Sequence, residues 1–159
     1  MPVDKNDFRR VLARFAAGVT VVTTRGADDQ PYGLTATAFT SVSLVPPLVL
    51  TCIGKESESY PHFTAHGIFA VNFLRHGQTD LSQRFATSGG DKFAHVHWSP
   101  KATGAPILND ALGWLDCRIV QSHDAGDHTI HVGEVEAADA HDDSPLIYYA
   151  AKYAKLATE

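Results

Sequence analysis

The sequence predicts a mainly β protein, in which an antiparallel sheet closes as a barrel with helices on its outside. Strand-like segments outnumber helix-like ones along the 159 residues, and short turns join most neighbouring strands. The helices are too few to cross over between successive strands, as a parallel sheet would require. The length and the ordinary composition, 44% hydrophobic and 19% charged, predict a single domain over residues 1–159.

The N-terminal part of the chain predicts one helix followed by a strand. Asp4 is a suitable N-cap for the helix, and Gly18 is a suitable end. Four apolar residues recur at helical spacing and predict one buried stripe: Phe8, Val11, Leu12 and Phe15. The β-branched run VTVVTT, residues 19–24, predicts a strand, and residues 26–33 predict the turn after it.

The rest of the chain continues the alternation of strands and short helices. Residues 33–53 predict a long strand or a pair of strands, interrupted at Pro46 and Pro47. Next come a short helix over 59–67, capped by Ser57 or Ser59, and a strand over 67–74. A second short helix, capped by Thr79, is predicted over 79–90. The chain then predicts a hairpin of 114–123 and 128–139 around the turn DAGD, and a strand followed by a helix over 144–159.

Charge and composition exclude several classes of partner. The net charge of −5 and the pI near 5.9 predict no nucleic-acid or anionic-membrane partner, because either needs a basic patch. The polar start lacks the apolar core of a signal peptide, and no apolar run is long enough to span a bilayer. Cys52 and Cys117 form neither a disulfide framework nor a metal motif. A cytoplasmic protein is therefore predicted.

Residues 33–53, GLTATAFTSVSLVPPLVLTCI, carry an unusual pattern of small hydroxyls. Counted at every second position, one face holds apolar residues and the other holds hydroxyls with Phe39 between them: Thr35, Thr37, Ser41 and Ser43. Small side chains and hydroxyls allow a flat or anionic ligand to approach the backbone closely. The same hydroxyls could instead bond the local backbone or pair across strands, and the pattern by itself leaves both interpretations open.

The nine histidines raise the question of a metal site. Three pairs have suggestive spacing: His62 with His66, His95 with His97, and His128 with His131. No acidic third ligand or cysteine pair accompanies them, so no metal site is predicted. Asp127 and His128 lie at a turn, where functional residues are common. Adjacent strand residues point to opposite faces, so we do not expect these two side chains to act as a pair.

Five segments in order resemble the short-chain NAD(P)H:flavin reductases. They are FRRVLARFAAGVTVVTT, GLTATAFTSVSLVPPLVLTCI, GIFAVNFL, GDHTIHVGEV and PLIYYAAKY. The resemblance implies a flavin-reductase-like split β-barrel that acts as a homodimer. It implies NAD(P)H-dependent reduction of FMN or FAD by hydride transfer to flavin N5, with reduced flavin supplied to a partner monooxygenase. The alternative is a protein that holds flavin tightly without turning over free flavin.

The resemblance also implies the roles of individual residues. The resemblance implies that the flavin is contacted by the residues of this chain that match flavin-contacting segments of relatives: Thr35, Ala36, Thr37, Ala38, Ser41, Val42, Ser43, Cys52, Ile53, Lys55 and Ser57. Arg84 matches a residue that holds the flavin phosphate, and Phe93 lies nearby. His128 lies beside the nicotinamide, as a positioning or electrostatic residue rather than a proton shuttle. Tyr149 and Tyr153 help to shape the nicotinamide nucleotide site.

The tail departs from the pattern of relatives. Many of them carry a tail of the YxxGRY kind, whereas this chain has YYAAKY, with Ala151 in place of Gly and Lys152 in place of Arg. The choice between NADH and NADPH therefore stays open at this stage.

Overall fold

The computed structural model describes residues 1–157, and the predicted architecture is confirmed: mainly β with peripheral helices. Helices are α1 (Lys5–Leu12), α2 (Thr79–Ala86) and one 3-10 turn (Tyr60–His62). The strands are β1 (Ala17–Gly18), β2 (Thr20–Arg25), β3 (Pro31–Ala36), β4 (Phe39–Ser43), β5 (Leu48–Gly54), β6 (Ile68–Phe73), β7 (Trp98–Pro100), β8 (Pro106–Leu108), β9 (Gly113–Ala125), β10 (His128–Ala140), β11 (Ile147–Tyr149) and β12 (Lys152–Ala154).

The main sheet is antiparallel and has seven strands in the order β3-β2-β6-β9-β10-β5-β4. Its two edge strands, β3 and β4, follow each other in the chain and are joined only by Thr37 and Ala38. Since two residues cannot cross the width of a flat sheet, the sheet must curl until its edges lie close together. The result is a split β-barrel, open along the seam between β3 and β4.

Strand β2 is buried on both of its faces. Inside the barrel, Val22 packs in a cluster with Phe63, Phe69 and Val71. On the outside, Val21 packs in a second cluster with Phe85 of α2. A run of β-branched residues without a polar alternation is what a strand covered on both sides requires.

Helix α1 has the predicted N-cap but not the predicted burial. The Asp4 carboxylate accepts a hydrogen bond of 2.8 Å from the Asn6 backbone N–H. No residue of α1 is buried, so the predicted buried stripe is wrong. The residues of the predicted stripe are 53–80% exposed, because the helix lies outside the sheet instead of against a core cluster: Phe8, Val11 and Leu12 in α1, and Phe15 just beyond it.

The tail forms a hairpin where the sequence predicted a strand followed by a helix. Strands β11 and β12 pair in register, Tyr148 opposite Tyr153, and β1 adds a third strand. Ala150 and Ala151 form the turn with positive φ angles of 51° and 61°. A two-residue turn with both φ angles positive matches the twist of a hairpin. The pairing of β11 with both β12 and β1 outweighs the helical propensity of the alanines.

Smaller departures occur around the short helices. Between residues 59 and 67 only the 3-10 turn forms, because the Ser59 hydroxyl donates to the Gly33 carbonyl (2.9 Å) instead of capping a helix. Gln78, not Thr79, is the N-cap of α2. The hairpin of β7 and β8 was not predicted from the sequence. None of the helices within residues 1–157 is both long and apolar enough to cross a membrane.

Candidate functional site

The predicted hydroxyl face is not continuous. The Thr35 hydroxyl donates to the Ser82 carbonyl of α2 (2.6 Å), so it already has an internal partner. Phe39, expected beside the hydroxyls, packs against the same cluster as Leu34 and Ala36. The break at Thr37–Ala38 shifts the alternation by one residue, and this places Phe39 on the same face as Leu34 and Ala36.

The break itself offers free hydrogen-bond donors at the surface. Thr37 and Ala38 are exposed, and within residues 1–157 neither backbone N–H donates a hydrogen bond. Their carbonyls are occupied, since they accept from the N–H groups of Phe39 (2.9 Å) and Cys52 (3.1 Å). Two neighbouring N–H groups without partners are suited to a ligand that carries carbonyl or anionic oxygens.

Strand β4 continues the exposed surface beyond this break. Ser41 and Val42 are exposed and Ser43 is half-buried, with a second register shift between Ser41 and Ser43. Ala36, which precedes the break, packs on the interior cluster. The exposed members of the predicted flavin segment across β3, β4 and their connection are therefore Thr37, Ala38, Ser41 and Val42.

The end of β5 lies next to this surface. Cys52 is half-buried, and desolvation raises the pKa of its thiol. The Ile53 side chain is fully buried inside the barrel, so only its backbone could contact a ligand. Lys55 Nζ lies 3.2 Å from Asp124 Oδ1, and its N–H donates to the Asp127 carbonyl (2.9 Å). Ser57 Oγ accepts a weak hydrogen bond of 3.3 Å from the Ser59 N–H.

His128 and Asp127 form a pair, contrary to the sequence-based expectation. His128 Nδ1 lies 2.7 Å from Asp127 Oδ1. The contact is possible because Asp127 belongs to the two-residue turn and not to β10, so strand alternation does not apply to it. The hydrogen bond to His128 lowers the pKa of Asp127. An ionised carboxylate can only accept, so His128 Nδ1 carries the proton and Nε2 is directed elsewhere.

The other His128 nitrogen lies over the end of β5. His128 is opposite Gly54 in the ladder, and a Cβ placed on Gly54 would lie 3.6 Å from His128 Nε2. The ring therefore covers the glycine next to the Cys52–Ile53 end of β5. The predicted nicotinamide-contacting histidine and part of the predicted flavin segment thus lie side by side.

Arg84 and Phe93 border two neighbouring depressions beside α2. Arg84 is exposed, and its Nη1 donates to the Ala94 carbonyl (2.8 Å). Phe93 is half-buried and packs edge-on against Phe85, with ring centroids 5.0 Å apart. Phe93 lines a cleft of about 430 Å³, whose other walls include Tyr32 and Glu58. Sequence reasoning missed Tyr32 and Glu58, because only the fold brings these distant segments to Phe93.

The two predicted tail tyrosines do not face the same way. Tyr153 lies opposite Tyr148 in the β11–β12 ladder, and its hydroxyl is 2.9 Å from Ser82 Oγ on α2. Tyr149 is the next residue along β11, so it points to the other face. It lines a groove of about 340 Å³ with α1 and Thr37. A shared role for Tyr149 and Tyr153 therefore stays a prediction.

Several of the paired histidines contact other side chains or the backbone. His62 stacks on Tyr32 with centroids 3.4 Å apart, and His66 Nε2 lies 3.0 Å from the Gly26 carbonyl. His131 is buried, with Nδ1 2.8 Å from Ser122 Oγ. Within the described residues no three or more His, Cys, Asp or Glu side chains are grouped so as to hold a metal ion.

Comparison with known proteins identifies one protein family. The family model of the flavin reductase like domain matches residues 12–157 of this chain. The chain is 42% identical to flavin reductase (NADH) of Kitasatospora aureofaciens, over 99% of this chain and 84% of the relative. It is 40% identical to HsaB, the reductase subunit of a flavin-dependent monooxygenase of Mycobacterium tuberculosis, over 99% of this chain and 85% of the relative.

A solved structure agrees over the whole chain. The NADH:FAD oxidoreductase SgcE6 of Streptomyces globisporus, in complex with NAD and FAD fragments, superposes with a TM-score of 0.89 at 39% identity. The superposition covers 99% of this chain and 97% of that one.

Proposed function

The chain belongs to the flavin reductase family, and on that premise we propose that it oxidises NADH, reduces FAD and supplies reduced flavin to a separate monooxygenase. The choice of NADH and FAD is supported by the names of its relatives, which include a flavin reductase (NADH) and an NADH:FAD oxidoreductase. A monooxygenase partner is supported by the relative that is the reductase subunit of such an enzyme.

One observation carries the proposal: His128 lies over Gly54 at the end of β5, beside the residues predicted to contact flavin. The surface also fits a flavin chemically. The free N–H groups of Thr37 and Ala38 can donate to the carbonyl oxygens of an isoalloxazine. Ser41 and Ser43 on β4, and Lys55 and Ser57 beyond β5, can hold its polar chain, with Arg84 and Phe93 farther out.

When bound, the flavin supplies a two-electron acceptor for the hydride of the nicotinamide. The protein's own contribution is to align the two reactants and to exclude water. His128 contributes orientation: its protonated Nδ1 is held by Asp127, which leaves Nε2 as an acceptor for a polar group of the nicotinamide. No general base is needed for this step, so we assign His128 no proton transfer.

We also propose that the active form is a homodimer. The exposed stripe of α1 lies beside the exposed Tyr149, and Leu12 and Phe15 line the same groove as this tyrosine. Leu44 and Val45, between β4 and β5, are 88% and 87% exposed. Exposed apolar surface of this kind marks an interaction site. Burial against a second copy would give α1 the partner that its amphipathic pattern requires.

Two further features complete the proposal. Residues 1–159 act as one flavin-reductase-like domain. This is supported by β2, because one of its faces packs against α2 and the other packs in the barrel interior. The protein works in the cytoplasm, which two free cysteines and the acidic composition support.

The deciding experiment measures NADH and NADPH oxidation by the purified protein with added FAD, FMN or riboflavin. We expect NADH oxidation that depends on added flavin and is fastest with FAD. Tightly bound flavin without turnover of added flavin would contradict the proposal and identify a flavin carrier.

A further inference from the structure

Two polar side chains inside the barrel have buried atoms that find no partner among the protein's own groups. Thr51 of β5 is 0% exposed and His131 of β10 is 1% exposed. Within residues 1–157, neither Thr51 Oγ1 nor His131 Nε2 makes a hydrogen bond. Buried polar atoms in folded proteins are almost always paired with another protein group or with ordered water. Two such atoms therefore point to a bound ligand.

The two side chains face each other across the ladder between β5 and β10. Thr51 and His131 are directly opposite residues in this ladder. Directly opposite side chains project from the same face of a sheet, with their Cβ atoms about 4.5–5.5 Å apart. Val49 and Ile53, two positions to either side of Thr51, belong to the interior cluster, so this face is the inside of the barrel. One small molecule can contact both polar atoms there.

Contacts with two other residues fix the ring of His131. Its Nδ1 lies 2.8 Å from Ser122 Oγ on β9, and a ring turned by 180° would lose this contact because a carbon atom would replace the nitrogen. The face of the ring stacks on Phe63, with centroids 5.9 Å apart and an interplanar angle of 16°. Nε2 therefore stays buried, and rotation of the ring does not give it a partner.

The surroundings restrict the ligand to a small neutral molecule. Around the two polar atoms the interior cluster supplies apolar side chains, among them Val49, Ile53 and Phe63. Burial lowers the pKa of His131 below 6.5, so at pH 7 its imidazole is neutral and offers no charge to an anion. A neutral imidazole nitrogen and a hydroxyl can each donate or accept. Water can match either role at both positions, and it is small enough to lie between opposite side chains.

We propose that the barrel binds one water molecule between Thr51 Oγ1 and His131 Nε2, as a part of its core. This water joins β5 to β10 through their side chains, three ladder positions from the pair of His128 and Gly54. The inference goes beyond the proposed function and does not depend on it, since it concerns only the inside of the barrel.

A high-resolution crystal structure of the purified protein is the direct test. We expect one peak of electron density about 2.7–3.2 Å from both Thr51 Oγ1 and His131 Nε2. Thr51→Val keeps the shape of the side chain and removes the hydroxyl, so the peak should be weakened or lost in this variant. A wild-type structure without the peak, or with a direct hydrogen bond between the two side chains, would overturn the proposal.

Unfolding equilibria give a second test in solution. Thr51→Val should lower the folding equilibrium constant about tenfold, because the water loses one of its two partners. In a His131→Leu background the same exchange should not lower it, since the bridge is already broken. Urea titrations measure both effects. If Thr51→Val instead raises the folding equilibrium constant of the wild type, the hydroxyl had no partner to lose and the proposed water is wrong.

Thr23→Val is the matched control for the unfolding measurements. Thr23 is as deeply buried as Thr51, but its hydroxyl donates directly to the Pro106 carbonyl, on the face of β2 that carries Val21. We expect its effect on the folding equilibrium constant to be the same with and without His131→Leu, because no shared ligand links the two sites. Thr51→Val should differ between the two backgrounds, and equal effects there would contradict the bridge.

Discussion

Asp127 Oδ1 lies 2.7 Å from His128 Nδ1, where the turn between the two longest strands of the barrel leads into β10. The carboxylate fixes the proton on Nδ1 and directs Nε2 toward the end of β5. In Asp127→Asn the side chain can still make one hydrogen bond with His128. Because an amide can donate as well as accept, it no longer requires the proton to be on Nδ1. We expect the KM for NADH to rise about fivefold, the equivalent of one hydrogen bond, with little change in flavin affinity.

Asp124→Asn is the matched control for this prediction. It makes the same exchange near the end of β9, but it removes the ion pair with Lys55 and leaves the hydrogen bond between Asp127 and His128 in place. Steady-state kinetics and flavin titration of both variants decide the question. If flavin affinity collapsed in the Asp127 variant while its KM for NADH stayed normal, the assigned role would be incorrect.

Cys52 gives a chemical test of the flavin surface. Desolvation raises the pKa of its half-buried thiol, so at pH 8 we expect alkylation by iodoacetamide to be slower than that of a free cysteine. Saturating FAD should slow it further by covering the end of β5. Cys117 is an internal control, because burial, with Asp116 and Glu136 nearby, raises its pKa to about 12. Mass spectrometry of digested protein measures both rates, and equal Cys52 rates with and without FAD would argue against this binding surface.

His131 predicts how stability depends on pH. Burial lowers the pKa of this imidazole below its ordinary value of 6.5, so the unfolded chain binds a proton more readily than the folded one. The contribution of His131 to the free energy of unfolding should therefore be constant above about pH 6.5. The free energy of unfolding should then fall as the pH drops from about 6.5 to the lowered pKa of His131. In His131→Gln this contribution is absent. Urea titrations at pH 7.5 and 5.5 should show a smaller loss of stability in the variant than in the wild type.

Ala151 predicts a stabilising substitution. Its φ of 61° is costly for a residue with a Cβ and free for glycine. Ala151→Gly should raise the free energy of unfolding by about 1 kcal/mol. Ala154→Gly, in the adjacent strand β12, is the control and should lower it by about 0.5–1 kcal/mol. Denaturant unfolding measures both changes, and a loss of stability in Ala151→Gly would contradict the turn geometry.

The exposed stripe of α1 predicts the oligomeric state. Phe15 is 80% exposed, so Phe15→Asp should not harm the fold of a single chain, yet it would place a charge in the proposed dimer interface. We expect sedimentation velocity to show a dimer for the wild type and a shift toward monomer for the variant. Leu156→Asp, at an exposed site beyond β12, is the comparison that should stay dimeric. A monomeric wild type would refute the proposal.

The sequence predicted those features that depend on local patterns. The N-cap at Asp4, the buried run in β2 and the β9–β10 hairpin follow from capping, β-branching and turn chemistry. The buried stripe of α1 failed because an amphipathic pattern shows that a helix needs an apolar partner, but not whether the same chain supplies it.

The candidate site was harder to predict because it depends on the break between β3 and β4. Strict alternation from Thr35 to Ser43 assumed one continuous strand. Thr37 and Ala38 lie outside the ladder, and this shifts the alternation of inward and outward side chains at the start of β4. The pairing of Asp127 with His128 depends on which residue begins β10, a boundary that periodicity does not resolve. The cleft wall at Glu58 is assembled from distant segments, so no local pattern could identify it.

The connection at Thr37–Ala38 differs from an ordinary surface loop in its tolerance of length changes. Most loops accept an inserted residue, because the strands that they join keep their own neighbours. Here the connection sets how far apart the two edges of the sheet can lie, and β4 is paired on one side only. Since one extra residue would widen the seam or slide β4 along β5, homologous chains should vary freely in length around residues 26–30 but keep two residues at this position.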